Sequence, residues 1–286
     1  MANCMIGFPN RIDSPSALSN GSWLTTLPLA NVQNRTLGKV ARSTDSTLAS
    51  TKLDINIGTP KNIRVLALIN HNSSLAGLFR ITASATNAFS TLLYDSGWIN
   101  IWPIVYSTTT VEWEDDNFWS CQYTDEQRTG YTATRTLPLP SNVLAQYWRI
   151  EINDTTNPAG YFQIGRVFIG PAYQPTYNMS YGASLAWETQ TAVQQALGGA
   201  KYFQRRIPSR VARLKLEIIA EDEAFSNIFE ILRRAGLDVE ILWIHDPEDT
   251  VHALRRQFLG HMRTLSPIDF PYPLHNSAPL EIEELL

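Results

Sequence analysis

The chain has 286 residues and a mass of 32.2 kDa, with 44% apolar and 10% aromatic side chains. That length and apolar content exclude a disordered chain and fit one large β domain or two ordinary ones. A formal net charge of −4 removes the broad positive field that non-specific nucleic-acid binding needs, and two cysteines, Cys4 and Cys121, are too few for a disulfide framework or a zinc cluster.

The start, Met1-Ala-Asn-Cys-Met-Ile-Gly-Phe-Pro9, has neither the basic head nor the continuous apolar stretch of a secretory signal, so export by that route is not expected and both thiols should stay reduced. The first patterned segment, Leu53-Asp-Ile-Asn-Ile57, alternates apolar and polar residues, the period of a half-buried strand. Ile63-Arg-Val-Leu-Ala-Leu-Ile69 is almost continuously apolar, which predicts a central strand covered on both faces. It falls far short of the roughly 18 apolar residues of a membrane span, and no other run is longer. Looser alternation over 77–83 and clean alternation in Trp148-Arg-Ile-Glu-Ile152 predict further strands. Turn clusters at 70–74, 94–97 and 153–160 punctuate them at the spacing of an all-β sandwich, a jelly roll rather than an α/β fold.

Charge density then rises. Residues 1–180 hold 24 charged side chains, whereas the shorter span 181–286 holds 26 and is net negative. Together with Gly170, Pro171 and Pro175, the shift divides the chain into a sandwich over 1–172, a linker over 173–184 and a second domain over 185–286. In that second domain, 187–193 and 211–218 alternate as strands about a Gly198-Gly199 turn, with Arg213, Lys215 and Glu217 on the wet face. Residues 221–235 form the one predicted helix: Phe225, Ile228, Phe229 and Leu232 share a stripe. Acids at 221–223, Arg233 and Arg234 near the end, and Gly236 as a C′ cap agree with those limits. Strands over 239–244, 257–265 and 280–285 complete a smaller α+β domain, an antiparallel sheet with one helix.

Common catalytic signatures are missing: Gly38-Lys39 lacks the rest of a phosphate loop, Gly182-Ala-Ser184 lacks the second glycine of a nucleophile elbow, and there is no His-Glu-x-x-His. His245, Asp246, Glu248, Asp249 and His252 crowd one short segment, but Asp-Pro-Glu-Asp after a strand is ordinary turn chemistry. Glu112-Trp-Glu-Asp-Asp-Asn117 lacks the spacing and glycine of a calcium loop and reads as a solvated acidic loop. No catalytic residue, cofactor or metal is expected. Six of the eight tryptophans precede residue 150, and Trp98, Trp102, Trp113 and Trp119 gather around the acidic run. Indoles beside acids and amides suit a packed core or a face that binds sugars or protein partners. His71 and Asn72, just after the central strand, add hydrogen-bonding groups at a loop, so these six residues form the candidate interaction face.

Residues 1–170 resemble the discoidin-like (coagulation factor type C) jelly roll as it occurs in virion proteins of tailed bacteriophages. The matching pieces are Leu27-Pro-Leu-Ala-Asn-Val32, the segment from Leu53 through Asn72, Tyr147-Trp-Arg-Ile-Glu-Ile152 and Gly160-Tyr-Phe-Gln-Ile-Gly-Arg-Val-Phe-Ile-Gly170. Residues 181–286 are similar in pattern to the strand–helix–strand–strand domain of phage tail-tube and distal-tail proteins. The resemblances imply a non-enzymatic structural protein at a phage tail tip or baseplate, made in the host cytoplasm, assembled as a homo-oligomeric ring with other tail proteins as partners. The alternative is a carbohydrate-binding module that contacts host surface glycans, and a glycan hydrolase using Glu112, Glu114, Asp115 and Asp116 is a third reading.

Overall fold

The computed structural model describes residues 2–13 and 15–286. Its strands are β1 (Met5–Gly7), β2 (Ala17–Ser19), β3 (Ala41–Arg42), β4 (Leu53–His71), β5 (Leu78–Ser84), β6 (Leu92–Asp95), β7 (Ile99–Asn100), β8 (Thr134–Asn153) and β9 (Gln163–Gly170). They continue as β10 (Ala172–Tyr173), β11 (Ser184–Glu188), β12 (Ala192–Gln195), β13 (Lys201–Gln204), β14 (Ser209–Ala220), β15 (Ile241–Ile244), β16 (Gln257–Met262), β17 (Asp269–Tyr272) and β18 (His275–Glu284). One eight-stranded sheet runs β3-β9-β4-β8-β5-β6, with β2 added to β4 and β7 to β5; a second runs β10-β1-β15-β16-β18-β14-β11, with β17 on β18. Among the described residues, strands β12 and β13 pair only with each other. The architecture is mainly β with antiparallel sheets, as the sequence predicts.

Strands β4 and β8 are the spine of the sandwich. In β4, Leu53, Ile55 and Ile57 are buried and Asp54 and Asn56 are not, so the alternation in sequence is an alternation of faces. Register slips between Asn56 and Lys61 bend the pair, and Gly58, at φ +87° in open space, supplies the left-handed backbone for that bend. A second slip lies beside Pro138, which has no amide hydrogen to give a ladder.

The continuous apolar run in β4 has two separate destinations. Ile63, Leu66 and Leu68 enter the sandwich core with Trp148, Ile150 and Phe162, while Val65, Ala67 and Ile69 enter a second core with Phe168, Met5, Leu242, Ile244 and Leu259. The strand is covered on both faces, and the second cover is the other sheet. Strand β15 is divided in the same way: Leu242 and Ile244 face the sandwich, and Ile241 and Trp243 face the helical segment 221–235. Sandwich, second sheet and helix are therefore three successive layers sharing apolar contacts.

The first strand changes the division read from the sequence. Met5–Gly7 pairs with β15 on one side, placing Ile6 opposite Trp243, and with β10 on the other, placing Ile6 opposite Tyr173. The chain thus begins in the second sheet, leaves to build the sandwich, and returns beside its starting strand. The unit expected over 1–172 loses both its ends to the second sheet, because three residues are too few to show a period. The segment expected as a linker over 173–184 is tied down: Asn3 Nδ2 donates to the carbonyls of Pro175 (2.8 Å) and Thr176 (3.0 Å), and the Glu223 carboxylate accepts from Tyr173 Oη and the Thr176 amide, both at 2.9 Å.

The helical segment 221–235 forms and ends at Gly236, whose φ of +55° a side chain would resist. Its buried stripe differs from the predicted one. Residues Ala224–Phe229 form a π turn, which carries more residues per turn and rotates the face. Ala224, Ile228, Ile231 and Leu232 are buried, whereas Phe225 and Phe229 lie exposed and edge-on to each other at 5.8 Å. Strand β14 shows the same kind of shift: a bulge between Leu216 and Ile219 turns Ile218 outward and Ile219 inward.

Candidate functional site

The structure separates the six residues of the expected interaction face. Trp102 is 5% exposed and belongs to the sandwich core. Its Nε1 donates to Ser73 O at 3.0 Å, the His71 ring meets it edge-on at 5.3 Å, and the Arg128 guanidinium lies 4.9 Å above it. His71 is itself buried; burial, aided by Arg135 and Arg128, holds its pKa down at about 3, so the ring is neutral. Asn72 is a structural clip: Nδ2 donates to Tyr161 O (3.1 Å) and Oδ1 accepts from the Gln163 amide (2.7 Å). An interaction role for His71, Asn72 and Trp102 is thereby corrected to a packing role.

Trp98, Trp113 and Trp119 are on the surface, the last two 76% and 91% exposed. Trp113 and Trp119 sit in an irregular loop folded by its own turns, among them Asp115 N to Glu112 O (3.0 Å) and Glu112 N to Asp115 Oδ2 (3.0 Å). That local bonding turns the Asp115 carboxylate onto the backbone of its own loop and not across a cleft. Asp116, Asn117 and Ser120 of this loop line a depression of about 310 Å³ with Tyr123, Asp125 and Glu126. In the His245–His252 segment, Asp246 Oδ1 accepts from the Glu248 amide and Asp249 Oδ1 from the His252 amide, which is turn chemistry.

A larger groove, about 530 Å³, opens where the sandwich meets the second sheet. It is lined by Thr129, Gly130 and Tyr131 from the sandwich, and by Trp187, Arg205, Arg206, Ile207 and Pro208 from the other unit. The Tyr131 and Trp187 rings meet edge-on, 5.3 Å between centroids at 65°. Each is held from behind. The helical turn Asp125–Arg128 is capped by Thr124 and Gln127 acting reciprocally, Gly130 turns the chain at φ +88°, and the Tyr131 amide closes onto Arg128 O at 3.2 Å. Trp187 stands on β11 opposite Arg210 of β14. Arg210 is buried, is bonded to the Glu284 carboxylate and to Leu254 O, and presents its guanidinium 5.3 Å from the Tyr131 ring.

Arg205 and Arg206 are exposed, and among the described residues neither guanidinium has a hydrogen-bond or ion-pair partner. The acid next to the groove, Glu188, is already engaged by Arg213 and by Arg263 (2.5 Å). The groove therefore offers two aromatic rings, the apolar Ile207 and Pro208, and uncompensated positive charge. Reading the sequence alone misses it, because Tyr131 lies in the loop before β8 and Trp187 on β11, and only the fold brings them together. The one local signal is Arg205-Arg206-Ile-Pro208, a paired positive charge directly before a strand.

No family model and no curated protein matches the chain. Among solved structures it is similar to the family 32 carbohydrate-binding module of Clostridium perfringens NanJ in complex with galactose, at 12% identity over 59% of this chain and 99% of that chain, with a TM-score of 0.38. A second is a family 32 module from a family 31 glycoside hydrolase of Clostridium perfringens, at 9% identity over 56% and 97% of the two chains, with a TM-score of 0.37. A third is the lectin-binding domain of Lectinolysin complexed with Lewis b, at 11% identity over 58% and 97%, with a TM-score of 0.38.

Proposed function

We propose that this protein binds carbohydrate, without chemical turnover, in the groove between Tyr131 and Trp187. The supporting observation is the pair of aromatic rings at 5.3 Å bordering an open, ligand-sized groove. A pyranose has a C–H face that packs on an aromatic ring and a rim of hydroxyls that accept from planar N–H donors, and the groove supplies both kinds of group. The half-exposed Trp187 is free to stack, while Tyr131 is fixed against Arg210 and needs little ordering on binding. Titration calorimetry after a glycan-array screen tests the reading. Affinities of roughly millimolar to micromolar are expected, and Trp187→Ala should weaken them about tenfold at unchanged thermal stability. An array blank across neutral and acidic bacterial glycans would remove the proposal.

A second reading, an assembly adaptor at a phage tail tip, has its own observation. Every residue of β12 and β13 is exposed, including Val193, Tyr202 and Phe203, with Leu197 at the tip of the arm. Such an arm suits contact with neighbouring subunits, either other tail proteins or copies in a ring. Light scattering decides it: self-association lost on changing Val193, Tyr202 and Phe203 to serine favours this reading, and a wild-type monomer at high concentration counts against the ring.

A further inference from the structure

The two free guanidiniums at the groove mouth carry the functional reading one step further, on which this step rests. We infer that the groove selects acidic sugars, a carboxylate on the bound saccharide being paired by Arg205 and Arg206 while its ring stacks on Trp187. Three observations converge. Both arginines line the 530 Å³ groove, are exposed, and lack partners among the described residues. Among the described residues no acidic side chain lines it, and Glu188 is held by Arg213 and Arg263 and so is not available to neutralise them. The whole chain is negative at −4, so these two unpaired cations stand in a protein that is acidic overall.

Guanidinium suits this task chemically. Its planar fork meets a carboxylate through two parallel N–H···O bonds, and a charge-assisted pair is stronger than the neutral bonds a hydroxyl can form. The flanking geometry also limits the choice of ligand. Ile207, Pro208 and the two rings offer apolar surface with no donor of their own beyond Tyr131 Oη and Trp187 Nε1. A ligand must therefore carry both an apolar face and its own negative charge, which a uronic-acid unit does. An overall negative protein disfavours long polyanions such as nucleic acid while leaving a short acidic oligosaccharide attracted.

The test uses the full chain with matched oligosaccharides: a trigalacturonate, the neutral galactotriose of the same length, and a sulfated galactotriose. Trigalacturonate should bind about tenfold tighter than galactotriose at low salt, and the advantage should shrink several-fold between 50 and 300 mM NaCl. In Arg205→Gln/Arg206→Gln the advantage should vanish. In Lys201→Gln, which removes an exposed positive charge from the nearby arm, it should remain. Equal binding of the acidic and neutral sugars overturns this inference and leaves the carbohydrate reading in place. A preference for the sulfated sugar, or an equal loss in Lys201→Gln, overturns it as well. Failure of all three sugars to bind sinks both it and the reading on which it rests.

Discussion

The guanidinium of Arg166 on β9 and the carboxylate of Glu240, just before β15, form a pair buried between the two units, with side chains 0% and 1% exposed. Arg166 Nε lies 3.0 and 3.1 Å from the two carboxylate oxygens, Nη2 reaches Asp13 Oδ1 at 2.7 Å, and Nη1 donates to Val32 O at 3.0 Å. Asn10 Nδ2 completes the site by donating to Glu240 Oε1 at 2.6 Å. This network joins the sandwich, the N-terminal segment and the second sheet beside the shared core of Val65, Phe168 and Leu242.

Breaking one half of such a pair leaves an uncompensated charge in a dry place, and that cost exceeds the value of the pair itself. Glu240→Ala should lose about 3–5 kcal/mol in urea unfolding, whereas Arg166→Met/Glu240→Leu should recover most of it. If the double variant is as unstable as the single, the hydrogen bonds to Val32 and Asn10 matter more than charge balance.

The tryptophans give a contrast within one loop region. Trp102→Ala removes a core ring and should destabilise the protein by about 3–5 kcal/mol. Trp119→Ala, at 91% exposure, should stay within about 0.5 kcal/mol of the parent. Thermal and urea unfolding of the two variants side by side is sufficient, and comparable losses in both would contradict the burial assigned to them.

His71 makes stability depend on pH. With its folded pKa held down at about 3 and an unfolded value near 6.5, only the unfolded chain takes up the proton between those limits. Its contribution is complete above pH 6.5 and is lost as pH falls toward 3, at about 1.4 kcal/mol per pH unit. Between pH 7 and pH 5 the wild type should therefore lose more stability than His71→Asn, by roughly 2 kcal/mol. Parallel pH profiles of the two proteins would disprove this.

Cys4 immediately precedes β1, is fully buried, and has its thiol pushed up to about 11 by that burial. In a Cys121→Ser background, an aromatic disulfide reagent at pH 8 should leave the folded protein unlabelled for as long as β1 stays in its sheet. Labelling should then follow the unfolding rate; rapid labelling of a protein with intact near-ultraviolet signal would mean that β1 detaches on its own.

How much of this was legible depended on the length of each pattern. The run 63–69 carried enough apolar residues to predict two covered faces, although not that one cover would be a second sheet. The helix was legible from its caps and period, but the π turn at 224–229, which turns Phe225 and Phe229 outward, leaves no mark in a spacing of three and four. Trp102 and Trp119 look alike in sequence, and only three-dimensional packing makes one a core ring and the other a surface ring. The groove depended on Tyr131, in the loop before β8, meeting Trp187 on β11, a contact with no local pattern. The tail-tip reading drew on the sandwich pattern of 1–170 and the strand–helix–strand–strand pattern of 181–286, and the exposed arm is the feature that keeps it as the second reading.

The placement of β1 has a consequence for biosynthesis. Met5 and Ile6 leave the ribosome before the sandwich strands, yet their partners Ile244 and Trp243 follow only after all of those strands have been made. The sandwich, whose strands are contiguous in sequence, can close while translation continues. The second sheet cannot, so a nascent chain carries a finished sandwich and, at its root, an apolar thread, β1, with at most β10 beside it. Ribosome-bound chains stalled before Ile241 should hold that thread open to chaperones, and release past β15 is the moment at which the two halves of the molecule become one.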